Sequence, residues 1–252
     1  MAETLTRRSF SRDALSTLLT YSLLDTLGNN DLFADKIKPV TRKWLTQVND
    51  LGLAVKKQKL KQVVWQKQVE ELFGKVELSD LLKMLDFDRL TKGLKYVDNG
   101  ALSIRFKFPR IEGLPTEYVF GKQVFALKRK RSVVPHGHNN MATAFLILEG
   151  KLRGRHYDRL EDRKDEFLIR PTIDRKFRRG EHSSISDYKD NFHWFEAQSD
   201  RAFIFNIHVL DVTPGSKKPT GRVYLDPNGK KQKGGLILAR KVGYKEVHKL
   251  YG

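Results

Sequence analysis

Residues 133–150 constrain this chain more than any other stretch. They read Val133-Val134-Pro135-His136-Gly137-His138-Asn139-Asn140-Met141-Ala142-Thr143-Ala144-Phe145-Leu146-Ile147-Leu148-Glu149-Gly150. An apolar lead-in reaches two histidines one residue apart, and an apolar run follows that stops at Glu149-Gly150. In a strand, residues i and i+2 lie on one face. Both imidazoles then point the same way, about 7 Å apart at their bases, and can share a metal ion. A pair of surface histidines beside a turn has the same local pattern, so the weight of the motif depends on the rest of the chain.

With 252 residues, of which 39% are hydrophobic, the chain is long enough for one large domain or a medium domain with an extension. No apolar run approaches the roughly 20 residues of a membrane span. The formal charge of +18 suits polyanionic contacts. Nucleic-acid recognition is nonetheless disfavoured: a zinc finger has no cysteines to use, no RNA-binding strand signature is present, and the aromatic residues lie in apolar strand patterns rather than among the basic clusters. The absence of cysteine also excludes disulfides, thiolate ligands and cysteine nucleophiles.

Near the start, Thr6-Arg7-Arg8-Ser9-Phe10-Ser11 precedes a mostly apolar segment, 14–27. This looks like a twin-arginine export leader, which would send the protein to the periplasm. Asp13 and Asp25 and the lack of a small-x-small cleavage site suit an amphipathic first helix of a cytoplasmic protein equally well. Residues 28–98 read as a helical subdomain. Pro39 can open a helix through Trp44, Val48 and Leu51, a second stripe runs from Leu60 to Phe73, and a short third spans Leu78 to Leu85. Such stripes mean packing, against one end of a β-domain or against a partner.

From about residue 99 the periodicity becomes two. Leu102, Ile104, Phe106 and Phe108 alternate with polar residues. Strand-like segments follow at 119–127, through the histidine pair, and at 151–156, 167–173, 184–187, 192–197 and 202–209. A closing edge hairpin, 222–225 with 236–239, is expected to turn at Pro227-Asn228-Gly229. Short strands broken by Gly, Pro and Asp predict a mainly β domain, a sandwich or barrel, over 99–252. Lys128-Arg129-Lys130-Arg131 reads as a solvated turn just before the histidines.

Two further histidines sit in apolar strand patterns: His193 in Asn191-Phe192-His193-Trp194-Phe195, and His208 in Phe205-Asn206-Ile207-His208-Val209. A buried imidazole needs partners for its nitrogens. Backbone groups can supply them, and so can a metal or ligand. The two-histidine strand, Gly150 twelve residues after His138, and His193 some fifty residues on resemble a cupin, a double-stranded β-helix or jelly-roll barrel. Within the cupins the pattern, over roughly 100–225, is most similar to the cysteine dioxygenase family of thiol dioxygenases. That resemblance implies a three-histidine Fe(II) site at His136, His138 and His193, since Ala142 and Thr143 stand where other cupins place a glutamate ligand. It implies an outer-sphere role for His208 and a carboxylate-binding role for Arg110, 26 residues before His136. The sequence departs from the family at Leu210, where a tyrosine is usual, and at Thr143, where some members carry a cross-linked cysteine.

The implied reaction oxidises a small thiol with dioxygen to a sulfinate. Fe(II) is the implied cofactor, with another divalent metal as the alternative. A metal-binding cupin of other or no activity, its helices serving as an interaction module, is the competing reading. His156 and Tyr157 read as a surface loop, and His182 and His248 as surface residues. Asp187 or Asp190 stands close enough in sequence to orient an imidazole, although turn chemistry explains both.

Overall fold

The computed structural model describes residues 39–252. The expected leader or first helix over 1–27 lies outside the described residues. Among the described residues four helices come first: α1 Pro39–Lys56, α2 Gln62–Gly74, α3 Leu78–Met84 and α4 Phe87–Thr91. They form where apolar residues recur at helical spacing. Trp65, Val69 and Phe73 of α2 are all buried, each four residues from the last.

Eleven strands follow: β1 Leu102–Ile104, β2 Phe120–Lys128, β3 Ser132–Asn139, β4 Met141–Glu149, β5 Lys151–Asp162, β6 Glu166–Arg178, β7 His182–Ile185, β8 Phe192–Ala197, β9 Arg201–Leu210, β10 Gly221–Lys231 and β11 Ile237–Val242. A last helix, α5 Tyr244–Tyr251, ends the chain. The first sheet has the order β1-β2-β9-β4-β7, and the second closes on itself as β10-β11-β6-β5-β8-β3. From β3 to β10 the chain passes repeatedly between the two sheets, the jelly-roll form of an antiparallel double-stranded β-helix. All strand pairs are antiparallel.

Strand β9 shows how the layers are made. Phe203, Phe205, Ile207 and Val209 face the helices and join Trp44, Trp65 and Phe73 in one cluster. Ala202 and Ile204 face the second sheet and pack with Phe125, Phe145, Phe177 and Phe195. A third cluster, with Phe167, Phe192 and Leu225, lies on the opposite face of the second sheet. The helices therefore cover the outer face of the first sheet. Between the sheets lies the second cluster, and beside it the histidines.

Several sequence expectations need correction. The apolar stretch 133–150 is two strands in different sheets, β3 and β4, broken at Asn140, whose φ of 57° is one asparagine tolerates. The alternation from Leu102 to Phe108 is a strand only as far as Ile104. Phe106 and Phe108 continue as irregular chain packed on the helix side. Pro227-Asn228-Gly229 is not a turn. Strand β10 runs through it, with a register shift between Asp226 and Lys230, and the chain reverses through Lys233–Gly235 instead. Nor is β10 an edge strand, because it pairs with β11 on one side and β3 on the other.

Candidate metal centre

Strand β3 carries His136 and His138, and β8 carries His193 directly opposite His136. Pro135 has no N–H for the ladder, and the β3–β8 register shifts between Val133 and His136. This irregularity sets His136 against His193, with ring centroids 4.1 Å apart. His138 lies 5.1 Å from each of the other two rings. Gly137, between the first two, has Phe192 at its back. A Cβ there would stand 2.4 Å from the Phe192 ring, so the pair tolerates only glycine between its members.

One ring nitrogen from each of the three histidines lies within 4.8 Å of the others, and all three side chains are buried. Their Nδ1 atoms are engaged. His136 Nδ1 is 2.7 Å from the Val134 carbonyl, His193 Nδ1 is 3.4 Å from the Asn191 carbonyl, and His138 Nδ1 is 3.0 Å from the Thr143 hydroxyl. A carbonyl only accepts, so for His136 and His193 the proton sits on Nδ1 and Nε2 keeps its lone pair. The Nε2 atoms of all three are buried with no hydrogen-bond partner. Each such orphan costs about 1–3 kcal/mol. Three orphaned imidazole nitrogens brought together, those of His136 and His193 fixed as acceptors, fit a divalent transition ion, which prefers neutral imidazole nitrogen. With no carboxylate in the group, the donor set does not suit magnesium or calcium.

Electrostatics agree with neutral ligands. Burial, first, holds His136, His138 and His193 well below the ordinary histidine range. Neighbouring imidazoles and the Arg222 guanidinium push the same way.

His208 lies on the inner face of β9, across from Thr143 on β4 and Gly121 on β2. Its ring lies against Gly121, where a Cβ would stand 2.2 Å from Nε2. Burial lowers its pKa to about 4, with Arg222 and Arg105 adding to the effect. Arg110 is placed elsewhere. It is exposed, and Phe108 and Ile111 on either side of it pack into the helix-side cluster. Leu210, in the family's tyrosine position, is 38% exposed.

Three residues missed by sequence reasoning matter here. His156, expected in a surface loop, is fully buried on β5, opposite His193, and burial drives its pKa down to about 3. Its Nδ1 has no partner, and its Nε2 is 3.5 Å from the Ser183 hydroxyl. The alternation of Leu152, Gly154 and His156 was the available signal. The other two are Arg222 and Tyr224, opposite His138 and His136 on β10. Tyr157, also expected on the surface, packs in the third cluster. His182 and His248 are partly buried rather than surface residues, set against Gly74 and Gly100. Asp187 accepts from Gln62 and from the Asn140 backbone, and Asp190 accepts from Thr172. Both carboxylates hold loops. A cleft of about 460 Å³ opens beside His138, bordered by Asn140, Arg159, Asp187 and Lys218.

No protein-family model and no curated protein matches the chain. Solved structures do. Oxalate oxidase in complex with glycolate is 17% identical over 54% of this chain and 60% of its own, with a TM-score of 0.36. An uncharacterised protein with a double-stranded β-helix domain from Klebsiella pneumoniae is 9% identical over 53% of this chain and 85% of its own, with a TM-score of 0.34. Procruciferin, an 11S globulin from Brassica napus, is 12% identical over 36% of this chain, with a TM-score of 0.30, and only 21% of the globulin's length is spanned. Likenesses this distant carry no argument here, and the barrel rests on the strand order alone. Strand order and histidine geometry together establish a double-stranded β-helix holding a buried three-histidine group suited to a metal ion.

Proposed function

We propose that the chain is a mononuclear non-haem iron dioxygenase that oxidises a small, cysteine-like thiol to a sulfinate. In the overall reaction R–SH + O2 gives R–SO2H, both oxygen atoms passing to sulfur. One observation carries this reading: three buried imidazoles bring ring nitrogens within 4.8 Å of one another, their Nε2 atoms unpartnered, with no carboxylate among them. His136, His138 and His193 would hold the ion. A ferrous ion held there would supply the chemistry that activates the thiol and dioxygen. The chain does the rest. The Val134 and Asn191 carbonyls fix the tautomers of His136 and His193, and Thr143 orients His138. The paired sheets keep water from the inner face. His208, on that face, is neutral at physiological pH and positioned to donate or accept one hydrogen bond at the reacting group.

A second reading, a metal-binding barrel of other or no activity, is favoured by Leu210, which supplies no hydroxyl where the family has one. Elemental analysis of the purified protein, followed by an oxygen electrode with cysteine, 3-mercaptopropionate and cysteamine, separates the two. Iron at one equivalent with thiol-dependent oxygen uptake is the expected result. Bound metal without uptake for any thiol leaves the second reading.

A further inference from the structure

The histidine on β8 is tied to the pair on β3 by a side chain as well as by the ladder. The β3–β8 pairing ends at His136 and His193, one step short of His138. Continued, that register sets Asn191 opposite His138. Asn191 is buried, and its side-chain nitrogen donates to the His138 carbonyl at 2.8 Å. The same nitrogen donates to the Ser186 carbonyl at 2.9 Å, and the Asn191 carbonyl faces His193 Nδ1 at 3.4 Å. One residue therefore touches two of the three histidines and the loop between β7 and β8.

That loop is in turn fastened to α2. Gln62, Gln66 and Glu70 recur at four-residue spacing, a polar stripe beside the apolar one of Trp65, Val69 and Phe73. Gln66 is buried; it accepts from the Ser186 hydroxyl at 2.7 Å and donates to the Ser184 carbonyl at 3.1 Å. Gln62 accepts from the Asp187 N–H at 3.0 Å and donates to the Asp187 carboxylate at 3.1 Å. The Ser184 hydroxyl donates to Glu70 at 2.6 Å. The Asp187 carboxylate also receives the Asn140 N–H at 2.9 Å, at the break that follows His138 and Asn139. Strand β7 is the last of its sheet, so α2 covers an open edge and supplies partners to polar groups beside it. Apolar contact is non-directional, whereas these bonds fix the register of helix on sheet.

Resting on the metal reading above, we propose that α2 is a working part of the metal centre. Asn191 is the positioning residue that sets His193 against His138, and Gln66, acting through Ser186, holds Asn191 in place. Metal binding and the docking of α2 are then coupled, and each strengthens the other by the same factor. The polar stripe of the helix thus serves the site, while its apolar stripe serves the core.

The test uses the full chain and Co(II), whose visible spectrum reports coordination geometry and whose affinity is read by chelator competition. Asn191→Ala weakens Co(II) binding by roughly 10- to 100-fold, the usual size for a residue that orients metal ligands. Gln66→Leu, one step further out, weakens it by at least about five-fold and shifts the visible bands. Val69→Ala lies on the same helix but in the apolar stripe. It lowers stability and leaves the Co(II) affinity and spectrum of the folded protein unchanged. A merely structural Gln66 would behave as Val69 does. Hydrogen exchange of the wild type carries the test if the Asn191 and Gln66 variants do not fold. On addition of Co(II), amides of 62–74 and 184–191 slow at least about five-fold more than those of α3, which shares the apolar cluster but none of these bonds. Folded variants with wild-type Co(II) affinity and spectrum, or equal slowing in α2 and α3, would overturn the proposal and leave the metal reading standing. A wild type that takes up no Co(II) removes the metal reading, and this one with it.

Discussion

The two faces of the first sheet are buried by different means. Outward, Phe203, Phe205, Ile207 and Val209 of β9 meet tryptophan, leucine and phenylalanine from the helices, and apolar contact is sufficient. Inward, the same strand presents Asn206 and His208, opposite a second sheet that carries His136, His138, His156 and His193. The outer face is stabilised by what it excludes from water. On the inner face, nitrogen acceptors are stranded out of water at a cost to stability, which is how a binding site differs from a core.

Truncation on the outer face gives the largest effect that separates the two. Phe205 is fully buried, with Phe73 at 6.2 Å and Phe106 at 6.1 Å. Phe205→Ala is expected to cost about 3–5 kcal/mol in denaturant titration, while the folded fraction keeps its metal affinity. Removing His193 reverses the pattern. His193→Leu is expected to weaken metal binding by more than about 100-fold in a chelator competition. The stability of the metal-free protein should change by less than about 1 kcal/mol in the same titration, because an orphaned polar nitrogen goes too. Equal losses in both quantities would erase the distinction between the faces.

Acid sharpens the comparison next. His208 has its pKa lowered to about 4 and His156 to about 3, against an unfolded value near 6.5. Above pH 6.5 both states are neutral and neither histidine matters. Below it the unfolded chain takes up protons that the folded chain refuses, so stability falls as pH falls, from about 6.5 to about 4 for His208 and to about 3 for His156. Each contributes about 1.4 kcal/mol per pH unit inside its window. Urea titrations from pH 7 to pH 4 should show stability falling with pH, and His156→Phe should reduce that slope by its own share, leaving the shares of the other buried histidines. Removing the Thr143 hydroxyl is the smallest change. Thr143→Val frees His138 Nδ1 and is expected to reduce metal affinity by about ten-fold, read by the same chelator competition, with the fold intact by circular dichroism.

Much of this molecule was legible one element at a time. The stripes at Trp44–Leu51, Leu60–Phe73 and Leu78–Leu85 became helices, and the alternation at 119–127, 192–197 and 202–209 became strands, because local periodicity reports which face will be buried. The mainly β barrel behind a helical segment followed from that. Misreadings occurred where local chemistry had two outcomes. Pro227-Asn228-Gly229 is good turn chemistry, but pairing with β3 and β11 holds it in a strand. His156 lies among arginines and aspartates, which suggested a loop, yet its partners in β6 and β8 bury it.

The sequence alone determined which residues had the chemistry of a metal site: three histidines in apolar strand contexts, with no cysteine in the chain and no glutamate at the expected place to compete. Spacing along one strand was enough to put His136 and His138 on a common face. Only the tertiary structure decided what else shares that face. Strand register is a long-range property, set when β10 closes the ring against β3, and it placed Arg222 and Tyr224 beside the histidines while leaving Arg110 outside. Side-chain alternation can be read from a single strand, but the identity of the neighbouring strand depends on how the whole barrel closes.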